Sequence, residues 1–218
     1  MTYNGGRRIK KYILFDNDGV LVETEAWYFR ANVEILKTMG ITLDAARYRE
    51  IMVSGQSAFL LAEEAGYDRE TVEAAREKRN ELYQHYLRTE DIAIKGVLDV
   101  LNTLKEQYRM GIVTSARRED FELIHRGRGI VEFMDFVLCS GEYARSKPHP
   151  DPYLEGLKRF GGEKHEAVVV EDSQRGLRSA VSAGIDCVIV DNHFTASHDF
   201  SEATHRIKDL QELVALLG

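Results

Sequence analysis

Cysteine is scarce, basic charge is in deficit and long apolar runs are missing from this chain. The only two cysteines, Cys139 and Cys187, sit in apolar, strand-like runs (Phe136-Val137-Leu138-Cys139 and Cys187-Val188-Ile189-Val190). Their separation excludes metal-type cysteine spacing, so buried free thiols in a reducing compartment are expected. Lys and Arg number 29 against 36 Asp and Glu, a formal net charge of −7. That balance argues against a nucleic-acid partner, whose binding face is usually basic. It leaves room for a small anionic substrate, because a bound cation and a few local basic groups reverse the field inside one cleft. Arg7, Arg8, Lys10 and Lys11 are followed by an apolar run that Asp16 cuts short, whereas a signal peptide needs a longer one. No stretch approaches the length of a membrane span. The expectation is a soluble, cytoplasmic protein with no membrane partner and a monomer as the default.

What is present centres on Tyr12-Ile13-Leu14-Phe15-Asp16-Asn17-Asp18-Gly19-Val20-Leu21-Val22. A short apolar run stops at two carboxylates and a glycine, as a buried parallel strand does in an open sheet. Ligands in such sheets bind outside the carboxyl ends of the strands. Asp-Asn-Asp-Gly is equally good turn chemistry, so the stretch alone leaves turn and active site open. A calcium loop is excluded, because its fifth, sixth and twelfth positions hold Val20, Leu21 and Trp27.

The 218 residues are long for one small domain and short for two, and a chain this size buries roughly 70–75% of its unfolded surface. After the first strand the spacing predicts helices over 25–39, from 45 behind Asp44, over 58–65 behind Ser57 and over 69–87 behind Asp68. The last carries an inner stripe of Val72, Ala75, Leu82 and Tyr86. From Lys95 onward strands (110–114, 136–140, 167–170 and 187–190) alternate with helices (97–107, 119–125, 153–160, 174–183 and 210–217). Residues 195–204 have the least pattern and read as surface loop. The expected fold class is α/β, a doubly wound, Rossmann-like parallel sheet with a small helical bundle inserted after its first strand. The expected boundaries are 1–23 and 91–218 for the core and 24–90 for the insertion.

Four of these strands end in complementary polar groups: Asp16 and Asp18, then Thr114 and Ser115, then Lys147 in a following loop, then Glu171-Asp172-Ser173. Singly, each reads as a cap or a solvated charge. Together, in order and at strand ends, they converge on one crevice. Carboxylates gathered there repel one another unless a cation lies among them, and hard oxygen ligands favour Mg²⁺. A lysine and hydroxyls beside a metal make a phosphate cradle. A carboxylate close to the metal is a nucleophile for phosphorus. The seven histidines show no ligand spacing and receive no role.

With Asp16-Asn17-Asp18-Gly19-Val20-Leu21, Val113-Thr114-Ser115, Lys147-Pro148 and Glu171-Asp172-Ser173, the chain resembles the haloacid dehalogenase superfamily over essentially its whole length. The similarity is to the branch of β-phosphoglucomutases and small sugar-phosphate phosphatases, whose cap corresponds to the helical insertion. The resemblance implies Asp16 as nucleophile and Asp18 as acid and base, with Thr114, Ser115 and Lys147 on the phosphoryl group. It implies Mg²⁺ held by Asp16, the Asp18 carbonyl, Asp172 and Glu171, and a small phosphorylated metabolite as partner. Dehalogenases lack an acid at the position of Asp18, which points to phosphoryl transfer. Tyr28 and Ala58 stand where β-phosphoglucomutases carry a histidine and an arginine, so hydrolysis is favoured over a mutase. A non-catalytic phosphometabolite-binding module is the reading from another class.

Overall fold

The computed structural model describes residues 10–218, so Arg7 and Arg8 lie outside the described residues. Strand β1 (Tyr12–Phe15) is followed by helices α1 (Glu25–Thr38), α2 (Ala45–Val53), α3 (Leu60–Glu64) and α4 (Arg69–Thr89). Then come α5 (Val97–Leu104), β2 (Arg109–Val113), α6 (Arg118–His125), β3 (Phe136–Leu138) and α7 (Asp151–Phe160). The chain ends with β4 (Ala167–Glu171), α8 (Gln174–Ala183), β5 (Asp186–Val190), β6 (His205–Ile207) and α9 (Glu212–Leu217).

All strand pairings are parallel, in the order β3-β2-β1-β4-β5-β6. Side chains alternate faces along a strand, so each strand feeds two cores. Ile13, Phe15, Met110, Ile112, Val168 and Val170 meet α5, α6 and α9 on one face. Leu14, Val113, Val169 and Ile189 meet α7 and α8 on the other. The order reverses between β1 and β4, the switch point at which such sheets open a crevice.

Side chains cap the starts of α2, α4 and α8. Asp44 and Asp68 accept from the backbone N–H groups of Arg47 and Thr71, and Ser173 accepts from Gly176. Helix α3 starts at Leu60, later than expected, because residues 57–59 form a turn in which the Ser57 hydroxyl accepts from Phe59 N–H. The sixth strand was not expected. It is a three-residue edge in which only Ile207 is buried, so it shows no alternation. Within the stretch read as surface loop, Phe200 is buried in the second core.

Helices α1 to α4 enclose a cluster of their own around Leu36, Tyr48, Ile51, Phe59 and Val72. The C-terminal half of α4 leaves that cluster, with Tyr83, Tyr86 and Leu87 packing into the core of the sheet. The buried stripe of α4 includes Arg79 and Tyr83, while Leu82 is only half-buried. The two passages between sheet and insertion run side by side: Glu23 N–H donates to Ile92 O at 2.9 Å and Val22 bridges Ala93.

Candidate active site

Where β1 and β4 end, Asp16 and Glu171 face each other across one lysine. Lys147 Nζ donates to Asp16 Oδ1 at 2.6 Å, to Glu171 Oε1 at 2.8 Å and to the Val113 carbonyl at 3.0 Å. The loop before α7 therefore delivers a buried cation against three strand ends, and the solvated reading of Lys147 is excluded. Glu171 is fully buried, and both its oxygens are engaged. Oε1 also accepts from Tyr153 Oη at 2.8 Å, and Oε2 accepts from Asp172 N, Ser173 N and Ser173 Oγ. Gly176 makes room for this carboxylate, since a Cβ there would overlap Oε1.

Asp18 is held by other partners than Lys147. Thr24 Oγ1 donates to its Oδ1, while Asn17 Nδ2 at 3.3 Å and Thr114 Oγ1 at 3.4 Å approach Oδ2. Gly19 has φ near 80°, and a Cβ there would collide with Asp172 Oδ2, so the turn after Asp18 is pressed against the second acidic loop. A cavity of about 540 Å³ opens above these groups, lined by Asp16, Asp18, Ser115, Lys147, Glu171 and Asp172. Thr114 lies beneath it, fully buried. Ser115 Oγ is buried beside the cavity without a hydrogen-bond partner, a donor left for a bound group.

The charges are unbalanced. Asp16, Glu171 and Asp172 each place a carboxylate oxygen within 4.8 Å of the others, and Lys147 offsets only part of this. Burial and then Glu171 push Asp16 up to about 7 against the pull of Lys147, and the same two causes raise Asp172 well above the carboxylate range. Burial also raises Asp18, opposed by its Thr24 and Asn17 hydrogen bonds. Asp16 Oδ2 and both oxygens of Asp172 accept no hydrogen bond among the described residues. Carboxylate oxygens left free where they open to the cavity fit a hard divalent cation.

Residues 13–190 match the profile of the haloacid dehalogenase-like hydrolases. The chain belongs to that family. The protein CbbY of Cereibacter sphaeroides is 28% identical, covering 94% of this chain and 95% of that one. The fructose-1-phosphate phosphatase YqaB of Escherichia coli is 26% identical over 82% of this chain and 95% of its own. Among solved structures, CbbY from Rhodobacter sphaeroides in complex with phosphate superposes with a TM-score of 0.80 at 26% identity, covering 94% and 96% of the two chains.

Within this hydrolase, the insertion supplies the opposite wall of the cavity, through Glu25, Tyr28, Tyr48, Arg49, Gln56 and Arg79 among others. Burial raises Glu25 to about 7, and Tyr48 Oη donates to it at 2.5 Å. Arg79 is buried against the Tyr28 ring at 4.4 Å and donates to Asn32 Oδ1 at 2.8 Å, without a carboxylate partner. Tyr28, Gly55 and Ser57 also line the cavity wall. Arg117 also lines the cavity, whereas Arg118 turns to Glu142.

Three groups at the site escaped sequence reasoning. Arg79 sits on the apolar stripe of α4 between Ala75 and Tyr83, and a basic residue at a stripe position was the available signal. His125 shares the buried face of α6 with Phe121 and Ile124, a signal of the same kind. His198 reaches the cavity from the unpatterned stretch after β5 and had no signal.

Proposed function

We propose that this protein is a Mg²⁺-dependent phosphatase of small phosphorylated metabolites, sugar phosphates among them, working through an aspartyl-phosphate on Asp16. The observation that carries this reading is Lys147 bridging Asp16 and Glu171 directly below a cavity onto which Asp18, Asp172 and the unpartnered Ser115 hydroxyl open. Family membership and relatives named for phosphate-ester hydrolysis support it.

Asp16 attacks phosphorus as its ionised carboxylate, and Asp18 gives its proton to the departing alkoxide as that P–O bond breaks. Water then attacks the aspartyl-phosphate, Asp18 takes its proton, and the Asp16–phosphorus bond breaks to release inorganic phosphate. Ser115 donates to a phosphoryl oxygen, and the Lys147 charge beneath it offsets the phosphoryl charge. Asp16, Asp172 and the Asp18 carbonyl would hold the metal. Glu171, whose oxygens are already engaged by Lys147, Tyr153 and backbone, orients Lys147 and adds charge to the metal site rather than serving as a principal ligand. When bound there, Mg²⁺ would neutralise these carboxylates and the developing charge on the phosphoryl oxygens. Residues 24–90 act as a cap that closes the cavity against bulk water, on a core of 1–23 and 91–218.

The test is phosphate release from a panel of sugar phosphates, nucleotides and phosphoglycolate, with Mg²⁺ and with EDTA. The panel includes β-glucose 1-phosphate with a bisphosphate primer. Metal-dependent release that is abolished in Asp16→Asn is expected. Isomerised sugar phosphate with little free phosphate would instead make the protein a mutase, and no turnover of any compound would leave a binding module.

A further inference from the structure

Behind Asp18 lies a polar pair that the reaction described above does not use. Asn17 is fully buried between β1 and α6, and His125 reaches it from the buried face of α6. His125 Nε2 and Asn17 Oδ1 are 2.7 Å apart. The other end of the same amide, Nδ2, approaches Asp18 Oδ2 at 3.3 Å. The imidazole lies tilted by 37° against Phe121, ring centres 4.3 Å apart, and its Nδ1 is buried with no partner among the described residues. Two polar side chains, one of them incompletely satisfied, thus occupy an apolar layer where a pair of aliphatic residues would cost less.

The direction of the chain follows from donor chemistry. An amide oxygen only accepts, so the 2.7 Å contact requires a proton on His125 Nε2. Burial pushes the imidazole down to about 4, so it is neutral with Nε2 as its single donor. Fixing Oδ1 toward the histidine turns the Asn17 NH₂ group toward Asp18. Without that donor the amide is free to flip and set its oxygen against a carboxylate, which the carboxylate avoids by rotating. We propose that His125 is a positioning residue for Asp18, acting through the side-chain amide of Asn17. With Thr24 on Oδ1 and Asn17 on Oδ2, the carboxyl group is gripped at both oxygens and its orientation toward the cavity is set.

This inference rests on the phosphatase reading, in which Asp18 protonates the leaving oxygen. That role supplies a readout that a purely structural histidine would not move. An alkyl phosphate needs its leaving oxygen protonated, whereas p-nitrophenolate departs without help. The comparison is kcat/KM for the best sugar phosphate of the panel and for p-nitrophenyl phosphate, with Asp18→Asn marking the signature of a lost acid. His125→Leu should lose at least about tenfold on the sugar phosphate and less than about threefold on p-nitrophenyl phosphate. His125→Gln, which keeps a donor near the place of Nε2, should recover most of that selectivity. Should His125→Leu fail to fold, the double variant Asn17→Leu/His125→Leu replaces both polar groups with apolar ones and should show the same selective loss. Equal losses on the two substrates, or none in folded protein, overturn the proposal and leave the phosphatase standing. A wild-type protein that cleaves neither ester removes the phosphatase reading and this inference with it.

Discussion

Lys147 holds two carboxylates and a carbonyl with only 5% of its surface exposed, yet Asp172 beside it has no cationic partner. In the metal-free protein, burial and Glu171 raise Asp16 from 3.8 to about 7. The folded state therefore holds a proton more tightly than the unfolded one. Its contribution to stability is complete below the unfolded value and disappears as pH rises through the folded value. A metal held by Asp16 and Asp172, as proposed, would replace that proton. The rise in melting temperature on adding Mg²⁺ should therefore be larger at about pH 8 than at about pH 5.5; equal rises would put the metal elsewhere. Lys147→Met leaves buried carboxylates without their cation and should cost about 3–5 kcal/mol in urea unfolding, besides abolishing turnover. Legibility at this scale follows chemistry. Carboxylates, hydroxyls and a lysine at apolar strand ends stand out against their runs. His125 and Arg79 sit on helical faces where a polar residue is read as noise, and only the fold shows that Asn17 and the Tyr28 ring are their neighbours.

Between elements, α4 makes a polar contact with the core beside the cavity. Gln84 Nε2 donates to Asp120 Oδ1 of α6 at 2.9 Å, and Asp120 in turn accepts from Arg117, a cavity residue. If closure of the insertion brings substrate and core together, this bond belongs to the closed form. Gln84→Ala should then raise KM by roughly fivefold, the equivalent of about 1 kcal/mol, with little change in melting temperature. An unchanged KM would separate the bond from closure. Helices with capping side chains were readable to within a residue or two, as α2, α4 and α8 show. The sixth strand was not, because a polar, three-residue edge takes its stability from β5 rather than from its own pattern. The start of α3 was displaced for a related reason: the Ser57 hydroxyl serves a turn before the helix begins.

At the level of the whole molecule, the strand order reverses beside β1, which brings the ends of β1 and β4 together although their sequences are far apart. Alternating strands and helices made this sheet predictable. The closeness of the insertion to the site was legible only through the family resemblance, since it depends on how α4 leans back onto the core. The cluster around Tyr48 and Phe59 is small and separate from both faces of the sheet. Native-state hydrogen exchange should accordingly find lower opening free energies for α2 and α3 than for β1 and β4, and uniform protection would mean one cooperative unit. The paired passages at Glu23–Ile92 and Val22–Ala93 have a further consequence. Because the insertion leaves and rejoins the sheet at neighbouring backbone positions, it is topologically a detachable plug. A short turn spanning those positions would close the chain without moving a strand. A different set of helices mounted on the same two anchors would present new walls to an unaltered set of carboxylates. On the proposed function, substrate range and bond-breaking chemistry would be free to diversify separately, one by exchange of the plug and the other by change in its socket.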